Sequence, residues 1–192
     1  MSDLALSIVL GVALAAATGL RVFLPMLVVS GAAYTGHLHL DDSFAWLGTR
    51  SALMMLSVAA LVEVVAYYIP FIDNLLDVLA TPAAFIAGTI VSAAVMTDMP
   101  PMVKWTAAVV AGGGLAGVTQ GVTGIIRAHS TALTGGLGNS VIATAELGGA
   151  VLISFLALAA PVAAIALVVL FLLVAIRLLR RLLRAGKSPG AP

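Results

Sequence analysis

Polar residues interrupt an otherwise apolar chain at a few places, and those places divide it into six apolar stretches. They run from Leu4 to about Tyr34, Ser51 to Ile69, Val78 to Thr97, Met102 to Arg127, Ser140 to Ala160, and Val162 to Ile176 with a basic extension. A helix crossing the ~30 Å hydrocarbon core of a bilayer needs about 20 largely apolar residues. The pattern therefore predicts an all-α polytopic membrane protein with about six transmembrane helices. The intervening segments fit: "GHLHLDDSFAWLGTR" is polar and carries a Trp suited to an interface, "PFIDNLLD" holds two aspartates, and "DMPPMVKW" reads as a tight turn. Thr81-Pro82 reads as an N-cap followed by proline at the first helical position, and Pro161 as the start of the sixth helix.

Two places break the apolar pattern from within. In "TGLRVFLP", Thr18-Gly19 and Pro25 bracket Arg21, which predicts a first crossing over Leu4 to Leu20, a break near the outer interface, and Val22 to Tyr34 as a tilted or re-entrant continuation. "STALTGGLGN" (130 to 139) is uncharged and rich in Gly, Ser and Thr, with Asn139 as a good N-cap for the next helix. It reads as an exposed cytoplasmic loop or as a re-entrant segment in contact with substrate.

Composition agrees with the membrane reading. The 192 residues are 62% hydrophobic and 9% charged, where an average soluble domain carries about a quarter charged residues. With no cysteine, disulfides, thiolate nucleophiles, iron–sulfur clusters and cysteine-ligated zinc are excluded. "MSDLALSIVL" lacks the basic start of a secretory signal, so it reads as a retained first span.

Lysines and arginines set the orientation. The basic residues Arg177, Arg180, Arg181, Arg184 and Lys187 crowd one end, the arginines on one helical face. The expectation is a bacterial cytoplasmic membrane protein with both termini cytoplasmic, its basic end against anionic lipid headgroups, followed by a short disordered tail over 185–192. The charge pattern gives no nucleic-acid footprint elsewhere.

Six spans divide into halves, 1–99 and 100–184, and three spans per half would invert one half relative to the other. An offset of 106 positions lays Gly11 on Gly117, Val12 on Val118 and Arg21 on Arg127. Glycine stripes recur in both: Gly11, Ala15 and Gly19 in the first span, Gly113, Gly117 and Gly121 in the fourth. Such small-residue faces let helices approach closely, within the chain or across a homo-dimer.

An ionisable group at membrane depth is a functional candidate because burying it is costly. The candidates for substrate or ion binding are Arg21, Glu63, Asp73, Asp77, Gln120, Arg127, Asn139 and Glu146. Asp73 and Asp77 share a helical face at i, i+4, and Gln120, Thr123 and Arg127 form one polar stripe. If the second span starts near Ser51, Glu63 lies ~18 Å inward, level with Arg127. That arithmetic predicts a Glu63–Arg127 pair, with Asp73 or Asp77 competing for the arginine. Glu146 reaches Arg21 only if the fifth span is broken. In "HLHLDD", His37, His39 and Asp41 have metal-compatible types but lack a fourth ligand, so no metal site or cofactor is expected. His129-Ser130 are mere sequence neighbours, and neither H-E-x-x-H nor G-x-S-x-G occurs, so enzymatic chemistry is not expected.

"GLRVFLP", "ALVEVVAYYIPFIDNLLDVLATPAAFIAG" and "TALTGGLGNSVIATAE" together resemble a family of small bacterial inner-membrane proteins catalogued as a domain of unknown function. The resemblance covers nearly the whole chain. It rests on Arg21 and Pro25, on Glu63, Pro70, Asp73 and Asp77, and on Gly135, Gly136, Gly138 and Asn139. Tyr67 and Tyr68 stand where relatives look more charged, and Ser140 where proline looks usual, which counts against a mechanism using charge at 67 or 68. The resemblance implies a six-helix membrane protein and supplies no substrate. Three readings follow. One is a small transporter or channel-like protein in which Arg127 binds an anionic group and Glu63 couples a proton. Another is a lipid-headgroup binder or translocase using Arg21 and Arg127, and the third is a scaffold whose buried charges fix helix register.

Overall fold

The computed structural model describes residues 3–69, 72–97 and 99–185, all of them helix or connecting turn. Pro70, Asp98, Lys187 and all but the first residue of the 185–192 tail lie outside the described residues, as does the side chain of Arg184. The helices are α1 (Asp3–Thr18), α2 (Phe23–Tyr34), α3 (Arg50–Ala66), α4 (Ile72–Val95), α5 (Pro101–Ala107), α6 (Gly114–Thr134), α7 (Asn139–Ala159) and α8 (Pro161–Ala185). A π-helical turn, Ala108–Gly113, joins α5 to α6 into one helical run, and a 3-10 helix, Asp42–Gly48, precedes α3.

Among the described residues, four helical stretches are long and apolar enough to cross a membrane: Leu75–Val95, Pro101–Thr134, Asn139–Ala159 and Pro161–Arg181. The 3-10 helix with α3, bent by 67°, makes a fifth if taken as one broken span, whereas α1 and α2 are shorter apolar helices. The outward residues Val58, Leu61, Val62 and Val65 of α3 are exposed, as expected where lipid rather than water is the solvent. By length and composition the described residues thus offer four or five crossings where the sequence reading expects six.

The difference lies in the first stretch. Ser92 Oγ donates to the Gly11 carbonyl at 2.9 Å, and Ala15 lies beside Gly88, so α1 runs antiparallel to α4. At Gly19 a Cβ would sit 2.4 Å from the Ala116 carbonyl oxygen, so only glycine permits this approach to α6. The chain then turns back. Val22 and Phe23 lie beside Glu63, Gly31 beside Leu53, and the Asp41 amide bonds the Ala94 carbonyl at 2.9 Å. Together α1 and α2 form a hairpin whose tip, Gly19 to Val22, is inside the bundle and whose two outer ends lie at the same end of it. Arg21 is therefore not near the outer interface but 1% exposed at the hairpin tip.

That outer end is fastened by Lys104 Nζ donating to Asp41 Oδ2 at 2.6 Å and by Phe44 tilted against Trp105 at 6.1 Å. The Lys104 ammonium holds the Asp41 carboxyl below the ordinary carboxylate range, helped by Ser43. Asp41 also caps the 3-10 helix through the Ser43 amide at 3.1 Å, and Thr49 caps α3 through Ala52. His37, His39 and Asp41 do not form a metal-type group among the described residues.

Other boundaries also differ from the sequence reading. Pro82 lies inside α4, which starts ten residues earlier at Ile72; packing in the bundle offsets the lost backbone bond, as in many membrane helices. Pro161 does begin α8. The 130–139 segment is mostly helical: α6 runs to Thr134, and the turn is confined to four residues, with Gly135 and Gly136 at φ 63° and 92°. It is therefore a tight inter-helical turn, not a long re-entrant loop.

Of the glycine stripes, Gly11, Gly19 and Gly113 pack closely within the chain, whereas Gly117 has ordinary space and nothing lies within 4 Å of a Cβ at Gly121. Ala15 is fully buried. Close glycines also fall outside the expected pattern, among them Gly88, whose Cβ would meet Ala116 at 2.5 Å, and Gly112, whose Cβ would meet Ser92 Oγ at 2.2 Å. The π turn thus seats α5 and α6 against α4. Around these contacts the main core gathers Leu14, Val29, Leu47, Val91 and Met96. Arg21 follows a helix break while Arg127 lies inside unbroken α6, so the offset pairing of the two is not matched by local structure.

Candidate functional site

The hairpin tip carries Arg21 into a buried polar cluster. Its Nη2 donates to the Ala143 carbonyl at 2.8 Å, and its Nη1 lies 3.5 Å from Glu146 Oε2. Glu146 is in unbroken α7, so the broken fifth span required by the sequence reading is unnecessary: the hairpin brings the arginine to the glutamate. Across the cluster, Arg127 Nε donates to Glu146 Oε1 at 3.1 Å, and its Nη2 pairs with Oε2. One carboxylate therefore serves two guanidiniums. By helical rise, Arg127 and Glu146 each lie ~10 Å inward from the 135–138 turn.

Glu63 does not pair with Arg127. Its Oε1 accepts from the Val22 amide at 2.7 Å and its Oε2 from the Phe23 amide at 3.0 Å. Val22 has no side-chain cap of its own, so a carboxylate from α3 closes the N-terminus of α2, where free amides and the helix dipole favour negative charge. The depth arithmetic along α3 could place Glu63 but not its partner, which depends on where the neighbouring chain turns back. A hairpin tip instead places two backbone donors at the level of Glu63.

Tyr67 was not among the sequence candidates, and it is central. Its ring lies 3.9 Å from Arg21 Cζ and 4.2 Å from Arg127 Cζ, stacked against both guanidiniums. The available signal was its i+4 spacing from Glu63, which puts both on one face of α3. An aromatic face holds the two cations together by cation–π contact without adding charge.

The remaining candidates extend the cluster toward the 135–138 turn and sideways. Asp77 Oδ1 lies 3.6 Å from Arg127 Nε, so Asp77 competes for that arginine as expected. Asp73 does not; its Oδ2 accepts from Asn139 Nδ2 at 2.7 Å, and Asn139 also donates to Thr131 Oγ1 at 2.9 Å. Asn139 is thus a buried crosslink rather than the N-cap of α7, the position held by Gly138. Gln120, Thr123 and Arg127 form the expected stripe and are all buried.

A family model described as "Domain of unknown function (DUF4126)" matches residues 8–181. The chain belongs to this DUF4126 family. No curated protein and no solved structure matches it. In this DUF4126 chain every cluster residue named above falls within the matched span. The motifs that carried the resemblance hold the site together: Arg21 at the tip, Glu63 as its cap, and Asn139 at the tight turn.

Three cavities border the cluster. A groove of about 340 Å³ is lined by Asp77, Thr81, Gln120, Gly121, Gly124 and Ala128 among others. A smaller polar pocket of about 220 Å³ lies at the 135–138 turn between Tyr67, Asp73 and Asn139. The largest, about 700 Å³, is an apolar groove between α3 and α4 with Glu63 and Tyr67 as its polar lining. Tyr67 borders both of the last two.

Proposed function

We propose that this is a small membrane transporter, moving a small solute or ion through the cluster at the hairpin tip. The observation that carries the reading is the convergence of Arg21, Arg127 and Glu146 at the buried end of a broken helical hairpin, beside a groove lined by Asp77 and Gln120. A scaffold that only fixed helix register would be served by fewer buried charges, each of which is costly in lipid. Helix breaks whose half-helix ends face charged groups recur at transporter sites, and the N-terminus of α2 facing Glu63 is such an end. The basic end of α8 favours a bacterial cytoplasmic membrane with that end inside.

Solid-supported-membrane recording on proteoliposomes tests the reading, using a panel of small inorganic ions and organic acids. At least one solute is expected to give a current that falls tenfold or more in Glu146→Gln. Currents identical to protein-free vesicles across the panel would sink it.

The apolar groove supports a second reading, in which a lipid chain lies between α3 and α4 and its headgroup reaches the arginines past Tyr67. Native mass spectrometry separates the two. Retained phospholipid that is lost in Arg21→Gln, together with silent recordings, favours lipid handling.

A further inference from the structure

Resting on the transport reading, we infer that the species bound and moved is a small monovalent cation, a proton or sodium ion, taken up at Asp77 from the groove between α4 and α6. The argument begins with charge. Arg21 and Arg127 face three carboxylates, Glu63, Glu146 and Asp77, with a fourth, Asp73, one helical turn from Asp77. Glu63 is satisfied by the amides of α2, and Glu146 lies between the two guanidiniums. Asp73 is held by Asn139.

Asp77 is what remains. Its nearest cation, Arg127 Nε, is 3.6 Å away and already donates to Glu146, and its Oδ1 is buried without a hydrogen-bond partner. The groups facing it are Arg127 from α6, Glu146 from α7, Asp73 from its own helix, Arg21 from the hairpin tip and Tyr67 from the end of α3. Counting Asp77 itself, three carboxylates here meet two guanidiniums, and Tyr67 is neutral.

A second observation is independent of the carboxylate count. Gln120 lines the same groove and is only 3% exposed, yet its side-chain amide has no hydrogen bond among the described residues. Its oxygen supplies a neutral ligand beside Asp77. Gly121 and Gly124, with nothing within 4 Å of a Cβ, leave open the space next to it.

An anion would meet the guanidinium N–H groups that lack acceptors, Nε and Nη1 of Arg21 and Nη1 of Arg127. It would also enlarge the surplus of negative charge in a region of low dielectric, where an uncompensated charge costs more than an unmet N–H donor. A monovalent cation cancels that surplus.

The test uses full-length protein in proteoliposomes with an imposed membrane potential, read in two arms: a trapped pH-sensitive dye without sodium, and uptake of radioactive sodium at constant pH. Wild type is expected to respond in one arm, which identifies the ion. Asp77→Asn should reduce that response tenfold or more, and Asp77→Glu should restore part of it. Chloride or organic-anion flux that is lost in Glu146→Gln, with neither arm responding in wild type, overturns the cation inference and leaves transport standing. No flux of any solute overturns both. The wild-type arms decide between these outcomes even if Asp77→Asn fails to fold.

Discussion

Glu63 closes the N-terminus of a helix that begins 40 residues before it, accepting from the amide of Phe23. A cap normally comes from the residue preceding the helix, and truncating it costs ~0.5–2 kcal/mol. Here the cap is also the tether between the hairpin tip and α3. Glu63→Ala is expected to lower the unfolding free energy by about 2 kcal/mol, because a buried and a part-buried amide lose their acceptor. Glu63→Gln, which keeps one oxygen acceptor, should cost about half as much. Denaturation in mixed micelles measures both, and hydrogen exchange at Val22 and Phe23 should quicken in the alanine variant. Unchanged exchange there would argue against the cap.

Glu146 serves two arginines, so its loss should exceed that of either partner. Breaking a buried ion pair from one side costs about 3–5 kcal/mol, and Glu146→Leu strands both Arg21 and Arg127. Arg127→Met should therefore be milder than Glu146→Leu. The double variant should fall short of the sum of the two, a coupling that a double-mutant cycle reads directly.

The glycines divide into two classes by neighbour distance. Gly19→Ala and Gly112→Ala would put a Cβ 2.4 Å from Ala116 O and 2.2 Å from Ser92 Oγ respectively, and overpacking of that kind costs about 1–3 kcal/mol. Gly121→Ala and Gly124→Ala meet nothing within 4 Å and should be neutral or stabilise α6 by up to about 1 kcal/mol. Melting temperatures of the four variants check the division.

At the outer end of the bundle, Lys104 keeps the carboxyl of Asp41 below its ordinary range. A carboxyl depressed on folding stabilises above its unfolded pKa of about 3.9, and that stabilisation is lost as pH falls through the lower folded value. The pair is partly exposed, so the effect should be about 1 kcal/mol or less. Lys104→Met should flatten this part of the acid stability profile, and a profile identical to wild type would show that Asp41 owes nothing to Lys104.

Counting α3 with its 3-10 lead as one crossing gives five crossings, with the α1–α2 hairpin entering and leaving at one end. The two termini are then expected on opposite sides, unlike the even count read from the sequence. Reporters that function only in the cytoplasm, fused in turn to each end, should be active at the C-terminus alone. Activity at both ends would restore the six-span plan.

Much of this was legible because lipid constrains sequence strongly. The apolar runs placed α3, α4 and α7 to within several residues, and the Gly-Leu-Arg break located the hairpin tip. Partners were less legible, because depth along an isolated helix says nothing about where a neighbouring chain turns back. Depth alone therefore puts Glu63 level with Arg127 and says nothing of the two backbone amides, and it leaves Glu146 out of reach of Arg21. Glycine spacing is a similar case: Gly117 and Gly121 continue the period of Gly113, but packing is decided by what faces a helix, and Gly117 has only ordinary contact while Gly121 borders an open groove. Tyr67 was undervalued because its contribution is the face of a ring rather than a charge.

The hairpin also sets an order of assembly. Arg21 is made 122 residues before the carbonyl of Ala143 that it bonds, and Glu146 follows later still. A chain synthesised from its N-terminus carries that arginine for most of its translation with neither partner available, and an unpaired guanidinium does not settle at membrane depth. The tip must wait near water until α7 is in place, so this hairpin is made before the helices it packs against and reaches its final position after them.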